Sequence, residues 1–345
     1  MADKTKIEWA GATLNYANGC SVVSPGCTNC YAMKAGGRNL PGHPSTGLTR
    51  QVNGNHVWTG EIRLTERALQ QALKWQRGRK IFWNAHGDLF HENVPDEAID
   101  RLFAVCALTP QHTHMILTKR SARMREYFRG ADGSHSLDST GKPRFDWHRA
   151  THIASAYHWL IRGGGGPWPP PPARILPLPN VWLGVSVEDQ TRADLRIPDL
   201  LATPAAVRFI SAEPLLGPVD LRAFGFDVHH HPDNRMGDAV AAIARAARRH
   251  LSDGKIIDWV ICGGESGPGA RPMHPDWARS LRDQCAAAGV PFHFKQWGLR
   301  FPTGQTMADG RVWLGTYNGA PTTLNAAKSL AGRLLDGVEH NGAPA

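Results

Sequence analysis

The sequence contains no run of 18 apolar residues among its 345 positions. A helix that crosses a membrane needs about 20 predominantly apolar residues, so we expect no membrane span. The first residues, MADKTKIEWAGATLN, also lack the apolar stretch of a secretory signal. These absences predict a protein that works in the cytoplasm and not in a membrane.

Cysteine is scarce and irregularly spaced, with six residues in the chain. Cytoplasmic thiols stay reduced, so a disulfide framework is not expected. Such cysteines serve instead as metal ligands, catalytic groups or small buried hydrophobes. Cys106, Cys262 and Cys285 lie in apolar stretches of the sequence, which indicates core positions.

Acidic residues are outnumbered: 30 Asp and Glu stand against 39 Lys and Arg, a formal net charge of +9. An excess of positive charge favours a polyanionic partner such as nucleic acid. The basic residues form no concentrated tract, so a merely soluble basic surface is the alternative.

Short β-branched or aromatic runs alternate with longer helix-like stretches along the chain. The helical stretches Asp96–Leu108 and Asp276–Ala288 follow Pro95 and Pro275, which mark helix starts. Nearly continuous apolar strands are typical of a sheet buried on both faces, and β-α alternation predicts that this sheet is parallel. We expect strands at Gly60–Leu64, Lys80–Asn84, His114–Thr118, Val181–Val185, Val207–Ile210, Asp258–Cys262 and Pro291–Lys295, with an eighth possible at Ala12–Tyr16.

The number of strands favours a full or partial parallel (β/α) barrel, as one decorated domain over residues 1–345. Polar residues follow the strands, and in such barrels the carboxyl ends of the strands carry the active site. The alternative for any one of these residues is that it caps the following helix. The set comprises Asn84 and Asp88, Thr118–Arg120, Ser186 and Glu188, Ser211 and Glu213, Glu265 and Ser266, and Lys295–Trp297.

Three stretches interrupt the alternation and are expected to be surface additions to the barrel. The first, at 130–176, is an insertion or a linker, the second, at 225–254, is an insertion, and the third is a carboxyl-terminal extension at 299–345. The second insertion holds consecutive histidines at 229–231, whose side chains converge poorly on one metal ion.

Cys20, Cys27 and Cys30 form a compact motif with the spacing C-x6-C-x2-C. A turn at Ser24–Gly26 folds the chain back, so the three thiols can face one centre. Structural zinc needs four protein ligands, and no fourth cysteine or histidine follows until His43. Three thiolates suit a [4Fe–4S] cluster with one open iron, which can chelate the amino and carboxylate groups of S-adenosylmethionine (SAM). Structural zinc with a distant ligand and reduced structural thiols are the alternatives.

Seven short phrases stand out along the chain: KIEW at 6–9, SPGCTNCYA at 24–32, DLFHE at 88–92, LTKR at 117–120, GVSVE at 184–188, SAEPL at 211–215 and GGESG at 263–267. Together they resemble a phage and prophage family of unassigned function that carries a three-cysteine motif. The cysteines followed by βα units also resemble the radical SAM superfamily. In that comparison the first gap is six residues instead of three, Asn29 replaces an aromatic residue, and the Gly-Gly-Glu phrase follows a later strand.

The resemblance implies a radical SAM enzyme with a barrel of the radical SAM type. It implies that Cys20, Cys27 and Cys30 hold a [4Fe–4S] cluster that cleaves SAM, and that a flavodoxin-like or ferredoxin-like protein donates the electron. The implied substrate is a nucleobase or nucleoside, such as a modified thymidine in phage DNA, in the cytoplasm of the host cell. Whether the reaction is that of an isomerase, a lyase or a transferase stays open, as does the oligomeric state.

Acceptors and cations at the strand ends are the candidate SAM contacts. The carboxylates would accept hydrogen bonds from the ribose hydroxyls and the ammonium of SAM, and the cations would face its carboxylate or a substrate phosphate. The alternative is a ring of ion pairs at the barrel mouth. The carboxylates are Glu188, Glu213 and Glu265, and the other candidates are Ser186, Lys119, Arg120 and Lys295.

Three further residues are candidate catalytic groups. Asp88 and His91 would transfer substrate protons, and Cys262 would donate a hydrogen atom to a substrate radical. Five tryptophans could stack on a base or belong to the core: Trp58, Trp83, Trp182, Trp259 and Trp297. The second function class is a zinc-stabilised phage nucleic-acid-binding protein without catalysis.

Overall fold

The computed structural model of the chain describes residues 5, 7–128, 136–137, 143–144, 153, 155–156, 176–226, 256–317, 320–321, 323–325 and 328–344. The chain divides into two compact units, each with helices and strands. The first unit comprises Met1–Val22, Ala32–Gly184 and Ala202–Val207, and the second comprises Val23–Tyr31, Val185–Leu201 and Arg208–Ala345.

Seven strands, hydrogen-bonded in the order in which they occur along the chain, form the main sheet of a mixed α/β fold. Neighbouring strands pair in parallel at both ends of the sheet, so the parallel sheet expected from the sequence is confirmed. Every position of the fourth and sixth strands is buried, as in a sheet covered on both faces. The strands are β1 (Ala12–Leu14), β2 (Lys80–Trp83), β3 (Thr113–Thr118), β4 (Val181–Ser186), β5 (Val207–Ala212), β6 (Trp259–Gly263) and β7 (Phe292–Gln296).

The strand predicted at Gly60–Leu64 is wrong as a member of this sheet. Only Arg63–Leu64 is extended, and it pairs antiparallel with Ala17–Asn18. Gly60 has a φ of 88°, a left-handed conformation that interrupts a strand. The possible eighth strand at Ala12–Tyr16 supplies the missing member, because β1 pairs with β2 at the edge of the sheet.

The sheet is open, with β1 and β7 at its two ends in the strand order of the described residues. The outer edge of β7 is covered by carboxyl-terminal residues. The amide of Phe294 donates to the carbonyl of His340, and the amide of Gly342 donates to the carbonyl of Phe292. A covered edge strand cannot pair with another chain. In a full barrel the first and last strands would pair with each other, so this open strand order agrees with the predicted partial barrel and not with a full one.

The predicted helix at Asp96–Leu108 is confirmed at both ends, and the one predicted at Asp276–Ala288 begins and ends one residue earlier. The latter starts on Pro275, whose missing N–H is not needed in a first helical turn. No helix among the described residues is both long and apolar enough to cross a membrane. The helices whose bounds the structure describes are α1 (Tyr31–Gly37), α2 (Glu66–Lys74), α3 (Asp96–Leu108), α4 (Ser121–Tyr127), α5 (Gln190–Ala202), α6 (Pro275–Ala287) and α7 (Lys328–Ala331).

Short two-stranded pairings make up much of the remaining described structure. The insertions predicted at 130–176 and 225–254 fall for the most part outside the described residues, as do the histidines at 229–231. The extension at 299–345 contains three of the antiparallel pairs. The two-stranded pairs are Thr49–Val52 with Asn55–Trp58, Ser136–Leu137 with Pro143–Arg144, Arg300–Phe301 with Leu324–Asn325, Thr316–Tyr317 with Ala320–Pro321, and Leu334–Leu335 with Val338–Glu339.

The five tryptophans considered for base stacking are core residues instead. Each is at most 7% exposed, and the indole N–H groups of three of them have internal partners. Trp83 donates to Nδ1 of His114, and Trp259 and Trp297 donate to backbone carbonyls. Because these rings are already enclosed, none offers a free face to a base.

Candidate functional site

Asp88 is a buried carboxylate of the first unit, in the loop that follows β2. Its Oδ1 accepts hydrogen bonds from the Thr118 hydroxyl at 2.7 Å and the Phe90 amide at 3.0 Å. Its Oδ2 accepts from the amide of Lys119 and from Nη1 of Arg120, both at 3.1 Å. Asp88 therefore ties its own loop to the end of β3, and Lys119 contacts it through the main chain.

The Arg120 guanidinium links this carboxylate to the first cysteine of the motif. Nη1 donates towards Sγ of Cys20 at 3.4 Å, Nη2 donates to the Ser21 hydroxyl at 2.7 Å, and Nε donates to Glu92 at 2.9 Å. Burial disfavours its charge, but Asp88 and Cys20 outweigh burial and raise the pKa of Arg120. A cation beside sulfur is the setting in which cysteines act as ligands or nucleophiles.

His91, the other predicted proton-transfer residue, belongs to the same network. Its Nδ1 accepts from the amide of Asn93 at 3.1 Å, which leaves Nε2 to donate to the Ser21 hydroxyl at 3.0 Å. Burial, followed by the nearby Arg120 charge, lowers the pKa of His91. The imidazole is therefore neutral at physiological pH and helps to orient Ser21, the neighbour of Cys20.

In the second unit, residues 24–30 form a compact segment that carries the other two cysteines, and we call it the cysteine segment. A 3-10 turn spans Pro25–Cys27, and the amide of Cys27 donates to the carbonyl of Ser24 at 2.9 Å. The amide of Cys30 in turn donates to the carbonyl of Cys27 at 3.2 Å. Cys27 is 9% exposed, so its thiol is largely covered.

Glu188, two residues after β4, anchors the beginning of the cysteine segment. Its Oε1 accepts from the Ser24 hydroxyl at 2.5 Å, and its Oε2 accepts from Nη1 of Arg196 at 2.7 Å. Glu188 is fully buried and Arg196 is 3% exposed, and the guanidinium also donates to the carbonyl of Ser186. The Cα of Gly26 lies against Glu188, where any added Cβ would overlap the carboxylate.

Glu265, two residues after β6, anchors the end of the same segment. Its Oε2 accepts from the Asn29 amide group at 2.9 Å and from Nε of Arg271 at 2.9 Å, and its Oε1 accepts from Nη2 of Arg271 at 2.6 Å. Asn29 also donates to the carbonyl of Gly269, and Arg271 donates to that of Pro25. Burial opposes the charge of Glu265, but the Arg271 and Asn29 hydrogen bonds lower its pKa overall.

Glu213, directly after β5, forms the third ion pair at the strand ends of the second unit. Its Oε1 lies 2.9 Å from Nζ of Lys295, and its Oε2 accepts from the Ser211 hydroxyl at 3.2 Å. The two charged side chains are 13% and 19% exposed, so solvent reaches both. Gly263 makes room for this carboxylate, because an added Cβ would lie 2.6 Å from Oε1.

Cys262, the predicted hydrogen-atom donor, is fully buried in β6. Burial raises the pKa of its thiol well above the usual range, and the charge of Glu213 raises it further. The side chain therefore keeps its S–H at neutral pH.

The sequence did not lead us to Arg196 or Arg271, although each arginine forms the ion pair of a predicted glutamate. Arg196 stands on α5, eight positions after Glu188, and Arg271 stands six positions after Glu265. An arginine shortly after each strand-end glutamate was the available signal. As the ion-pair alternative expects, Glu188, Glu213 and Glu265 each contact a cation. Asp88, a candidate for proton transfer, is likewise paired, with Arg120.

The donor set of the motif suits an iron–sulfur cluster, since soft thiolate ligands select such clusters. None of the six cysteines forms a disulfide, so Cys20, Cys27 and Cys30 are available as thiols. In the part of the chain that the structure describes, no three His, Cys, Asp or Glu side chains are already arranged to hold a metal ion. The three thiols are thus chemically suited to an iron–sulfur cluster, but no coordination geometry is preformed among the described residues.

Comparison with known proteins identifies a family but no characterised relative. No curated protein and no solved structure matches the chain. Residues 4–344 match DUF5131, which is described as a protein of unknown function. Since this match extends over nearly the whole sequence, the chain belongs to the DUF5131 family.

Proposed function

We propose that this protein is a radical SAM enzyme that modifies or rearranges a nucleobase or nucleoside. Cys20, Cys27 and Cys30 would hold its [4Fe–4S] cluster. The observation that carries the proposal is the anchoring of the cysteine segment to Glu188 and Glu265 at strand ends of the second unit. Ligand sites of parallel α/β folds lie at the carboxyl ends of the strands, whereas a structural zinc site closes with four protein ligands.

When bound and reduced, a [4Fe–4S] cluster held by the three cysteines would supply the single electron for reductive cleavage of SAM. The chain's own residues would bind and orient the reactants. Glu213 and Lys295 present a carboxylate and an ammonium side by side, which complements the ammonium and carboxylate of SAM. Glu188 and Glu265 already hold the cysteine segment, so Glu213 is the carboxylate best suited to contact SAM. Cys262 holds its hydrogen in the buried strand next to this pair.

The metal content of the purified protein tests the cluster. Anaerobic reconstitution should give about four irons per chain and a visible sulfur-to-iron absorbance band. Cys20→Ala, Cys27→Ala and Cys30→Ala should each lose most of the iron, whereas the buried Cys285→Ala should retain it. One zinc per chain and no bound iron would overturn the proposal in favour of the zinc-stabilised nucleic-acid-binding protein.

SAM binding is tested separately by calorimetry on the reconstituted protein. Glu213→Ala should weaken binding by about tenfold or more, because a hydrogen bond to a charged group contributes about 1.5–3 kcal/mol. Chemically reduced protein should release 5′-deoxyadenosine. The assignment fails if the wild type, with its cluster assembled, shows no heat of binding.

The substrate class rests on the net charge of +9. A nucleic-acid substrate predicts that binding weakens steeply between roughly 50 and 200 mM salt, because each neutralised phosphate releases counterions. Phage DNA and a free nucleoside should be compared for stimulation of SAM cleavage. Stimulation only by a peptide, with no DNA binding at either salt concentration, would exclude this substrate class.

A further inference from the structure

We infer that Ser24 and Asn29 are positioning residues, which fix the cysteine segment on two ion pairs before any metal binds. The pairs are Arg196–Glu188 and Arg271–Glu265. The reason for positioning this segment rests on the proposed function, because the segment carries two of the three proposed cluster ligands. The positioning itself, a segment held in place by two carboxylates, can be measured on protein without a cluster.

The first attachment lies before Cys27 and joins Ser24 to a fully buried carboxylate. Arg196 occupies the other oxygen of Glu188, so the carboxylate is itself fixed and presents one oxygen to the hydroxyl. Hydrogen bonds with an ionised partner are shorter and stronger than neutral ones. The close approach of Gly26 to Glu188 adds a steric fit at the same point.

The second attachment lies after Cys27 and joins Asn29 to Glu265. Arg271 holds both oxygens of this carboxylate, which orients it for the Asn29 amide group. The same guanidinium reaches the carbonyl of Pro25 at 2.8 Å, so one cation contacts the first residue of the 3-10 turn directly and Asn29 through Glu265. Cys27 therefore stands between two attachment points, and Cys30 directly follows the second.

Two points of attachment leave the segment little freedom to move as a unit. Loss of either one should let it open away from the carboxylates, which exposes the covered Cys27 thiol. A ligand segment fixed in advance also loses less conformational entropy when it binds a metal. Ser24 and Asn29 thus act through the placement of the thiols and make no contact with a substrate.

The test is the rate at which iodoacetamide alkylates each cysteine of the metal-free, folded protein, read by peptide mass spectrometry. Ser24→Ala and Asn29→Ala should each raise the rate at Cys27 by about tenfold, the factor expected when one hydrogen bond to a charged group is lost. Ser24→Thr keeps the hydroxyl and should restore the slow rate. Thr28→Val is the matched control within the segment, because the Thr28 hydroxyl donates to the carbonyl of Pro25 and to neither glutamate.

Two further readouts separate opening of the segment from general unfolding. The buried Cys106 should stay unreactive in every variant, and amide hydrogen exchange should accelerate at residues 23–31 while the strands stay protected. Unchanged Cys27 alkylation in both Ser24→Ala and Asn29→Ala would overturn the inference. If alkylation rises as expected but the wild type assembles no cluster, the proposed function fails and the positioning role stands. If a cluster assembles and alkylation does not change, the proposed function stands and the positioning role fails.

Discussion

Acidification should destabilise this protein in part through one buried histidine, His114. Its ring is fully buried in β3 of the first unit, and Nδ1 accepts a hydrogen bond from the Trp83 indole N–H at 3.0 Å. Nε2 therefore carries the proton and donates to the hydroxyl of Thr109, which donates to the carbonyl of Val105. A proton added to Nδ1 would face the Trp83 N–H, so protonation must break this chain of hydrogen bonds.

The size of the effect follows from the pKa of His114. Burial, with a smaller contribution from the nearby His112, lowers this pKa from 6.5 to about 3. The unfolded chain binds the proton at pH values where the folded protein does not, so stability falls as the pH drops below about 6.5. Between pH 7 and pH 5 the loss due to this residue is about 2 kcal/mol, and it reaches about 4 kcal/mol near pH 3.

Urea unfolding of the wild type and His114→Gln at pH 7, 6 and 5 isolates this contribution. The variant should be less stable at pH 7, and the difference should narrow by about 2 kcal/mol at pH 5, because glutamine does not titrate. Cys106→Ala, a neutral change in the same unit, should differ from the wild type by the same amount at each pH. A difference between the wild type and His114→Gln that stays constant from pH 7 to pH 5 would refute the reasoning.

Three other perturbations test the contacts of the site and of the sheet edge. Glu188→Gln should lower the free energy of unfolding, measured by chemical denaturation, by about 3–5 kcal/mol, because it leaves the Arg196 charge buried and unneutralised. The double variant Glu188→Met/Arg196→Met removes both charges and should recover most of this loss. Arg120→Met removes the cation shared by Asp88 and Cys20 and should lower the free energy of unfolding by about 3 kcal/mol. Arg311→Met, at an exposed ion pair, is the control and should leave the midpoint of chemical denaturation unchanged. Truncation after Glu339 uncovers the edge of β7 and should cause aggregation detectable by light scattering, whereas truncation after Gly342 retains the covering residues and should leave the protein monodisperse.

Much of the fold could be predicted from the sequence because local patterns determine it. Apolar runs of strand length located six of the seven sheet strands, and the helix Asp96–Leu108 followed from its periodicity and Pro95. The failure at Gly60–Leu64 also has a local cause, since the backbone of Gly60 is left-handed. Sequence order further predicted that polar residues after parallel strands share one edge.

The partners of the charged side chains were decided by tertiary structure alone. Glu188, Glu213 and Glu265 look alike in the sequence, as acidic residues just after strands. Folding gives Glu188 a fully buried arginine, Glu265 a bidentate arginine and Asn29, and Glu213 a partly exposed lysine. Two of the three consequently hold the cysteine segment, and the third, which is 13% exposed, pairs with Lys295 instead.

The cysteine motif shows the same division between local pattern and tertiary contact. Spacing alone marked Cys20, Cys27 and Cys30 as a set, because the residues are neighbours in the chain. Their surroundings come from residues more than 90 positions away: Arg120 for Cys20, and the glutamates after β4 and β6 for the segment around Cys27. A sequence pattern records which groups are present and how far apart they lie along the chain. Only the packing of distant strand ends determines which charge each group meets.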